Sequence, residues 1–323
     1  MFPELFRVPF VNYPVHSYGL MLVLGLIGGI ELMKFLARRS QLNPEHFANA
    51  AVLALVSGLI GARIAYVVQF HSEFAGGTFA ENAWNAINLT SGGLVYYGGF
   101  LLAFPTLVVY AIWKKIPLLR GMDIVAPSLM IGLAFGRVGC FLNGCCYGQP
   151  CDLSSPIAVS FPYDSPAYQD DYHAGRARPP EALYHFDAVR KVERLMTREQ
   201  IKAQHDTAVL QAAAAERSRP VLNTQLISTV TASLIALTAF AFFTLGGTPG
   251  RGFAVMMMLE GVSRFLIEGL RVEPTVLGPL TLSQLIGLGV ALGGVTLWIA
   301  AGLTAKRRDG LIPATFEPAP AAA

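Results

Sequence analysis

The chain has 323 residues, 53% of them hydrophobic and only 14% charged, with a formal net charge of +3. A soluble domain carries about 25% charged residues, so this composition excludes an ordinary globular enzyme. Lysine and arginine sit in short patches at the ends of apolar runs, which excludes a basic nucleic-acid surface.

The apolar residues gather in runs of about 20, the length needed to cross a bilayer core. Seven such runs occupy roughly 17–37, 46–70, 93–113, 123–143, 223–245, 252–271 and 281–304. They predict an all-α polytopic membrane protein with seven transmembrane helices. The opening "MFPELFRVPFVNYPVHSYG" lacks the basic start of a cleaved signal, so the first run reads as a span. Lys34, Arg38 and Arg39 end span 1, and Lys114, Lys115 and Arg120 link spans 3 and 4. Arg251 links spans 5 and 6, and Lys306, Arg307 and Arg308 follow span 7. The positive-inside rule then gives an N-out, C-in orientation.

The chain divides accordingly into residues 1–144 (spans 1–4), 145–222 (a periplasmic loop with a helical arm), 223–305 (spans 5–7) and 306–323 (a disordered cytoplasmic tail). Within the loop, "EALYHFDAVRKVERLM" and "TREQIKAQHDTAVLQAAAAERSR" read as two charged helices. Thr197 with Gln200 three residues on forms a capping box at the start of the second. A solvated arm is the plainer reading, and contact with a protein substrate is the sharper one.

Charges inside the spans are the informative residues: Arg63, Asp123, Arg137, Arg264 and Glu268. Each costs roughly 2.5–3.5 kcal/mol at a helix centre, so each implies a partner or a wet cavity. Arg63 and Arg137 stand at similar depths, about 10 Å below the expected outer boundary. Converging guanidiniums suit an anionic lipid headgroup, because arginine matches phosphate with a two-pronged fork. The competing reading pairs Arg264 with Glu268 four residues on and lets the other arginines reach outward. Glycines 92, 93, 98 and 99 at the start of span 3, and 136, 139, 144 and 148 around the end of span 4, serve helix packing or turns in the plainer view.

Cysteines 140, 145, 146 and 151 crowd the outer end of span 4. Outside the membrane such thiols pair as disulfides, and Cys146 with Cys151 is the favoured pair because both lie past the helix end. Inert buried thiols and reactive or metal-binding thiols are the other readings. The spacing lacks the usual C-x2-C pairs of a zinc site, and His173 and His185 are distant in sequence.

Six segments in order carry a resemblance: "HSYGLMLVLGL" (16–26), "GLIGARIAYVV" (58–68), "GGLVYYGGFL" (92–101), "GRVGCFLNGCCYG" (136–148), "SRFLIEGLRVEP" (263–274) and "LTLSQL" (280–285). Together with a "TQL" remnant at 224–226, they resemble the prolipoprotein diacylglyceryl transferases of bacteria over nearly the whole chain. The resemblance implies transfer of the diacylglyceryl group of phosphatidylglycerol to the lipobox cysteine of a prolipoprotein, at the outer leaflet of the inner membrane. It implies Arg137, Arg264 and Tyr97 as catalytic residues. It places Tyr18, Arg63, Gly98 and Gly99 at the substrate, together with Cys140, Asn143, Gly148 and Glu268. The expected partners are phosphatidylglycerol, prolipoprotein lipobox segments and membrane lipid, with no nucleic acid, no cofactor and no metal.

The chain departs from the family's usual pattern at several positions. Cys140 stands where an asparagine is usual and Cys145 where a glutamate is usual. Leu222, Ile227 and Ser228 replace a His, a Tyr and a Glu, and Glu260 replaces a tyrosine. These departures leave open a second reading, a paralogue that binds anionic phospholipid but is non-catalytic or uses another acceptor.

Overall fold

The computed structural model of the chain describes residues 4–7, 14–74, 76, 78–88, 92–187 and 192–307. Strands β1 (Glu4–Arg7) and β2 (Pro14–His16) pair antiparallel and lead into α1 (Ser17–Arg39). The side chain of Asn43 accepts from the Glu45 amide to cap α2 (Pro44–Gln69), with Pro44 at the first helical position. A capping box of Thr78 and Glu81 starts the short α3 (Phe79–Ile87). Helices α4 (Tyr96–Trp113) and α5 (Leu118–Asn143) follow.

Helices therefore fall on the first four apolar runs, and α9 (Thr224–Thr244), α10 (Arg251–Glu268) and α11 (Leu282–Arg307) fall on the last three. Among the described residues five helices, α1, α2, α5, α9 and α11, are long and apolar enough to cross a bilayer. Helix α4 is apolar but shorter, and α10 carries Arg251, Glu260, Arg264 and Glu268 within its 18 residues. The chain is thus a mostly helical, multi-pass membrane protein. Its outer helical faces expose large apolar side chains such as Val68, Leu101, Phe104 and Leu237, as lipid contact requires. The expected tail lies outside the described residues from 308 onward.

The helices pack in pairs, α1 along α5, α2 along α4, α5 along α9 and α10 along α11. Small residues set the closest approach. A Cβ on Gly98 would lie 2.2 Å from the Ala65 Cβ and 2.5 Å from the Gly61 carbonyl oxygen, so α2 and α4 touch backbone to backbone. Asp123 explains its own burial: its carboxylate accepts from the Gly250 amide at 2.7 Å and the Phe253 amide at 2.9 Å. It caps the amino end of α10 from a neighbouring helix, where Gly250 has no side chain to do so.

The region between α5 and α9 is a small folded unit of its own. It contains β3 (Ala158–Val159), α6 (Pro166–His173), β4 (Tyr184–Asp187), β5 (Val192–Leu195), α7 (Arg198–Gln204), α8 (Thr207–Ala215) and β6 (Val221–Leu222). The expected first arm helix is instead a single 3-10 turn followed by the antiparallel pair β4–β5, with Tyr184 opposite Leu195. The second does form, with the Thr197–Gln200 capping box, but it breaks into α7 and α8 at His205, whose φ is +52°. Tyr163, Tyr168, Leu183, Met196, Ile201 and Val209 share one buried core, so the arm is part of this unit.

Short strands β7 (Thr275–Leu277) and β8 (Leu280–Thr281) join α10 to α11.

Candidate functional site

The end of α5 organises the site. Gly144, at φ +78°, donates its amide to the Cys140 carbonyl, and the Cys145 amide donates to the same oxygen. This left-handed cap stops the helix and folds the chain back on it. Cys146 also has a positive φ of +60°, an unusual conformation for a residue with a Cβ. Side chains of α9 hold it there: Gln225 Nε2 donates to the Cys145 carbonyl and Thr224 Oγ1 to the Cys146 carbonyl, both at 2.8 Å.

The turn gathers the sulfurs of Cys140, Cys145 and Cys146 so that all three lie within 4.8 Å of one another. The favoured Cys146–Cys151 disulfide is absent, and all four cysteines are free thiols. The physical reason is the turn itself, which directs Cys146 back toward Cys140. The neighbouring thiols of Cys140 and Cys145, hydrogen-bonding to Cys146, hold its pKa well below the usual thiol range, and Arg137 and Arg271 add to the effect. Among the described residues these three thiols are the one group of ligand atoms close enough to share a metal ion.

Arg137 lies three residues before Cys140 on α5, and Arg264 lies on α10. Glu260, one turn before Arg264, lies within electrostatic reach of both guanidiniums. Arg264 also donates to Ser283 Oγ at 3.3 Å. Arg137 and Arg264 thus both stand near one acidic side chain. Tyr18, in the first turn of α1, lies within electrostatic reach of Arg137 and all three clustered cysteines. Its ring packs where a Cβ on Gly139 would be. Asn143, the last residue of α5, lies near the Cys145 thiol. Tyr97 is the second residue of α4 and is 45% exposed.

The remaining expected site residues are occupied otherwise. Arg63 is buried, and its guanidinium donates to four carbonyls, those of Asn85, Ala86, Gly92 and Gly93, at 2.6–2.9 Å. It also lies over the rings of Tyr66 and Phe74. Four of the five guanidinium hydrogens are used in fastening α3 and the segment before α4. Gly98 and Gly99 belong to the α2–α4 contact. Gly148 is a point of close approach, where a Cβ would meet the Leu222 Cβ and Thr224 Cγ2 at 2.8 Å. Glu268 pairs with Arg271 at 3.4 Å, in place of the expected Arg264.

The spacing of Arg264, Glu268 and Arg271 at i, i+4 and i+7 already predicts one shared helix face, whereas Glu260 as a span charge is the residue that sequence reasoning missed. Glu260 stands four residues before Arg264 in an apolar run, a spacing that already places the two on one helix face.

The family model for prolipoprotein diacylglyceryl transferases matches residues 3–300. The chain belongs to this family. A phosphatidylglycerol–prolipoprotein diacylglyceryl transferase of Nostoc sp. is 27% identical over 284 residues, covering 86% of this chain and 83% of the relative. A second such enzyme of Clostridium perfringens is 25% identical over 299 residues, covering 92% and 94%. One from Rhodopirellula baltica is 35% identical over 165 residues, which is 51% of this chain but only 33% of that protein.

Proposed function

We propose that the protein transfers the diacylglyceryl group of phosphatidylglycerol to the cysteine thiol of prolipoproteins, the first step of lipoprotein maturation. The observation that carries this reading is the family match over residues 3–300, in a chain that keeps Arg137 and Arg264 within electrostatic reach of one acidic side chain, Glu260. In the reaction the acceptor thiol gives up its proton and its sulfur bonds to the primary carbon of the diacylglyceryl group. The bond from that carbon to the phosphate oxygen breaks, and glycerol phosphate leaves with the bonding electrons. Negative charge grows on the phosphate, and fixed guanidiniums stabilise it more than they stabilise the bound lipid. Glu260, within electrostatic reach of both, offsets part of their mutual repulsion before lipid arrives. Tyr18 and Asn143 border the same space, and Tyr97 stands at the amino end of α4 on the expected outer side.

This reading takes all seven apolar helices as spans, N-out and C-in, in the bacterial inner membrane. The site then faces the periplasm, where lipobox segments emerge. The test is transfer by purified protein in phosphatidylglycerol vesicles to a prolipoprotein peptide. The peptide is expected to gain the mass of one diacylglyceryl group, with no gain in phosphatidylcholine vesicles. Lipid binding without any gain in peptide mass would overturn the transferase reading in favour of a lipid-binding paralogue.

A further inference from the structure

Cys140, Cys145 and Cys146 are not needed to hold phosphate, and an alkylated enzyme thiol would be a stable thioether rather than an intermediate. Yet their three sulfurs converge within 4.8 Å on a turn fixed by the Gln225 and Thr224 side chains. Disulfide chemistry fits this arrangement poorly. Adjacent residues such as Cys145 and Cys146 have Cα atoms about 3.8 Å apart, below the usual disulfide range. Any pairing with Cys140 leaves a third sulfur beside the bond.

We propose that Cys140, Cys145 and Cys146 form a three-thiolate site for a thiophilic cation of the Zn2+ type, whose fourth position takes the sulfur of the acceptor cysteine. The acceptor role rests on the transferase reading above. A tetrahedral ion with metal–sulfur bonds of about 2.3 Å spaces its sulfurs about 3.8 Å apart. The cluster therefore needs a contraction of roughly 1 Å or less, within reach of side-chain rotation alone. Three thiolates around a divalent ion leave one net negative charge. Arg137 and Arg271, both within electrostatic reach of Cys146, offset it.

Three protein ligands with an open position is the pattern of catalytic rather than structural zinc. The site adjoins Arg137, so a thiolate held there lies beside the phosphate to be expelled. Coordination removes the proton of the acceptor thiol to solvent. The sulfur lone pair then forms the carbon–sulfur bond as the carbon–oxygen bond breaks toward phosphate. The cation stays with its three thiolates, and nothing is oxidised or reduced.

The experiment loads full-length protein, purified in detergent under reductant, with Zn2+ and separately with Cd2+. Metal content and the thiolate-to-cadmium absorbance are the readouts. Wild type is expected to hold about one equivalent. Cys140→Ser, Cys145→Ser and Cys146→Ser should each abolish it, and Cys151→Ser, outside the cluster, should retain it. A double Cys140→Asn, Cys145→Glu variant, carrying the family's usual residues, should stay folded and hold no metal. Chelation should lower transfer by wild type up to about thirtyfold, the gap between full ionisation and the few per cent thiolate of a free cysteine at pH 7. Added Zn2+ should restore it.

A wild type without bound metal, a disulfide within the cluster, or equal metal loss in Cys151→Ser would overturn the site. Transfer unchanged by chelation, with metal shown to be removed, would overturn the acceptor role. Metal bound with no transfer under any condition would support the cation site and refute the transferase reading separately.

Discussion

Arg63, Arg137 and Arg264 are all guanidiniums within apolar runs, yet the structure separates them. Backbone carbonyls take up Arg63, whereas Arg137 and Arg264 lie within electrostatic reach of Glu260 and Arg264 donates to the Ser283 hydroxyl, partners that a phosphate can compete with. The carbonyls that engage Arg63 come from α3 and from Gly92 and Gly93, more than 20 residues away, so no local spacing around Arg63 reveals them. Arg137→Ala or Arg264→Ala is therefore expected to lower the transfer rate by about 10²–10³, the cost of losing one donor to a developing oxyanion. Lysine should rescue poorly, since it lacks two parallel donors. Transfer measured in vesicles with matched protein insertion checks this, and activity near wild type in Arg264→Ala would refute it. Arg63→Ala should act differently. It leaves four carbonyls without their donor, so the expected result is a lowered Tm in detergent, with transfer per folded molecule largely kept. A lost transfer rate at unchanged Tm would return Arg63 to the substrate.

At the scale of elements, the apolar runs revealed every long helix, because a length of about 20 apolar residues has few other uses. The segment 181–196 was misread for an equally physical reason. Its strands are four residues each, too short for alternation to stand out from a charged helix face. Asp123 shows what a span charge can do without touching substrate. It supplies the cap that Gly250 lacks, and α10 in turn carries Glu260 and Arg264. Asp123→Ala should cost about 1–2 kcal/mol of stability, in the range for a lost helix cap. Asp123→Asn, which keeps one acceptor oxygen, should cost less. Thermal unfolding in detergent gives the order, and equal loss in both variants would point to charge rather than capping.

For the whole molecule, the question is whether the unit between α5 and α9 is an accessory or a part of the site. Its last strand pairs with the turn behind the cysteine cluster: the Gly148 amide donates to the Leu222 carbonyl, the Leu222 amide to the Gln149 carbonyl and the Cys151 amide to the Pro220 carbonyl. Residues 181–217 supply Leu183, Met196, Ile201 and Val209 to the core around Tyr163 and Tyr168. Deleting them would leave two buried tyrosines facing water. The unit also has an electrostatic hub. Burial alone would raise the pKa of Asp171, but hydrogen bonds from the Arg219 amide and from the Arg176 and Arg219 side chains bring it below the usual carboxylate value. A depressed folded pKa means stability that is present above the ordinary pKa of about 3.9 and is lost as pH falls through the folded value. Asp171→Asn should therefore weaken the unit at neutral pH and flatten its response to acid.

Leu183→Ala offers the sharper test, because it leaves every polar contact in place. A fully buried leucine truncated in a packed core costs about 2–5 kcal/mol, a large share of what so small a unit can hold. The expected outcome is rapid proteolysis within 152–217 while the membrane helices stay protected. Transfer should fall in parallel, since β6 runs directly into the Thr224 and Gln225 side chains that fix the cysteine turn. Limited proteolysis and transfer assays on the same preparation decide it. A cleaved loop with full transfer would show that the turn holds without the unit beyond it.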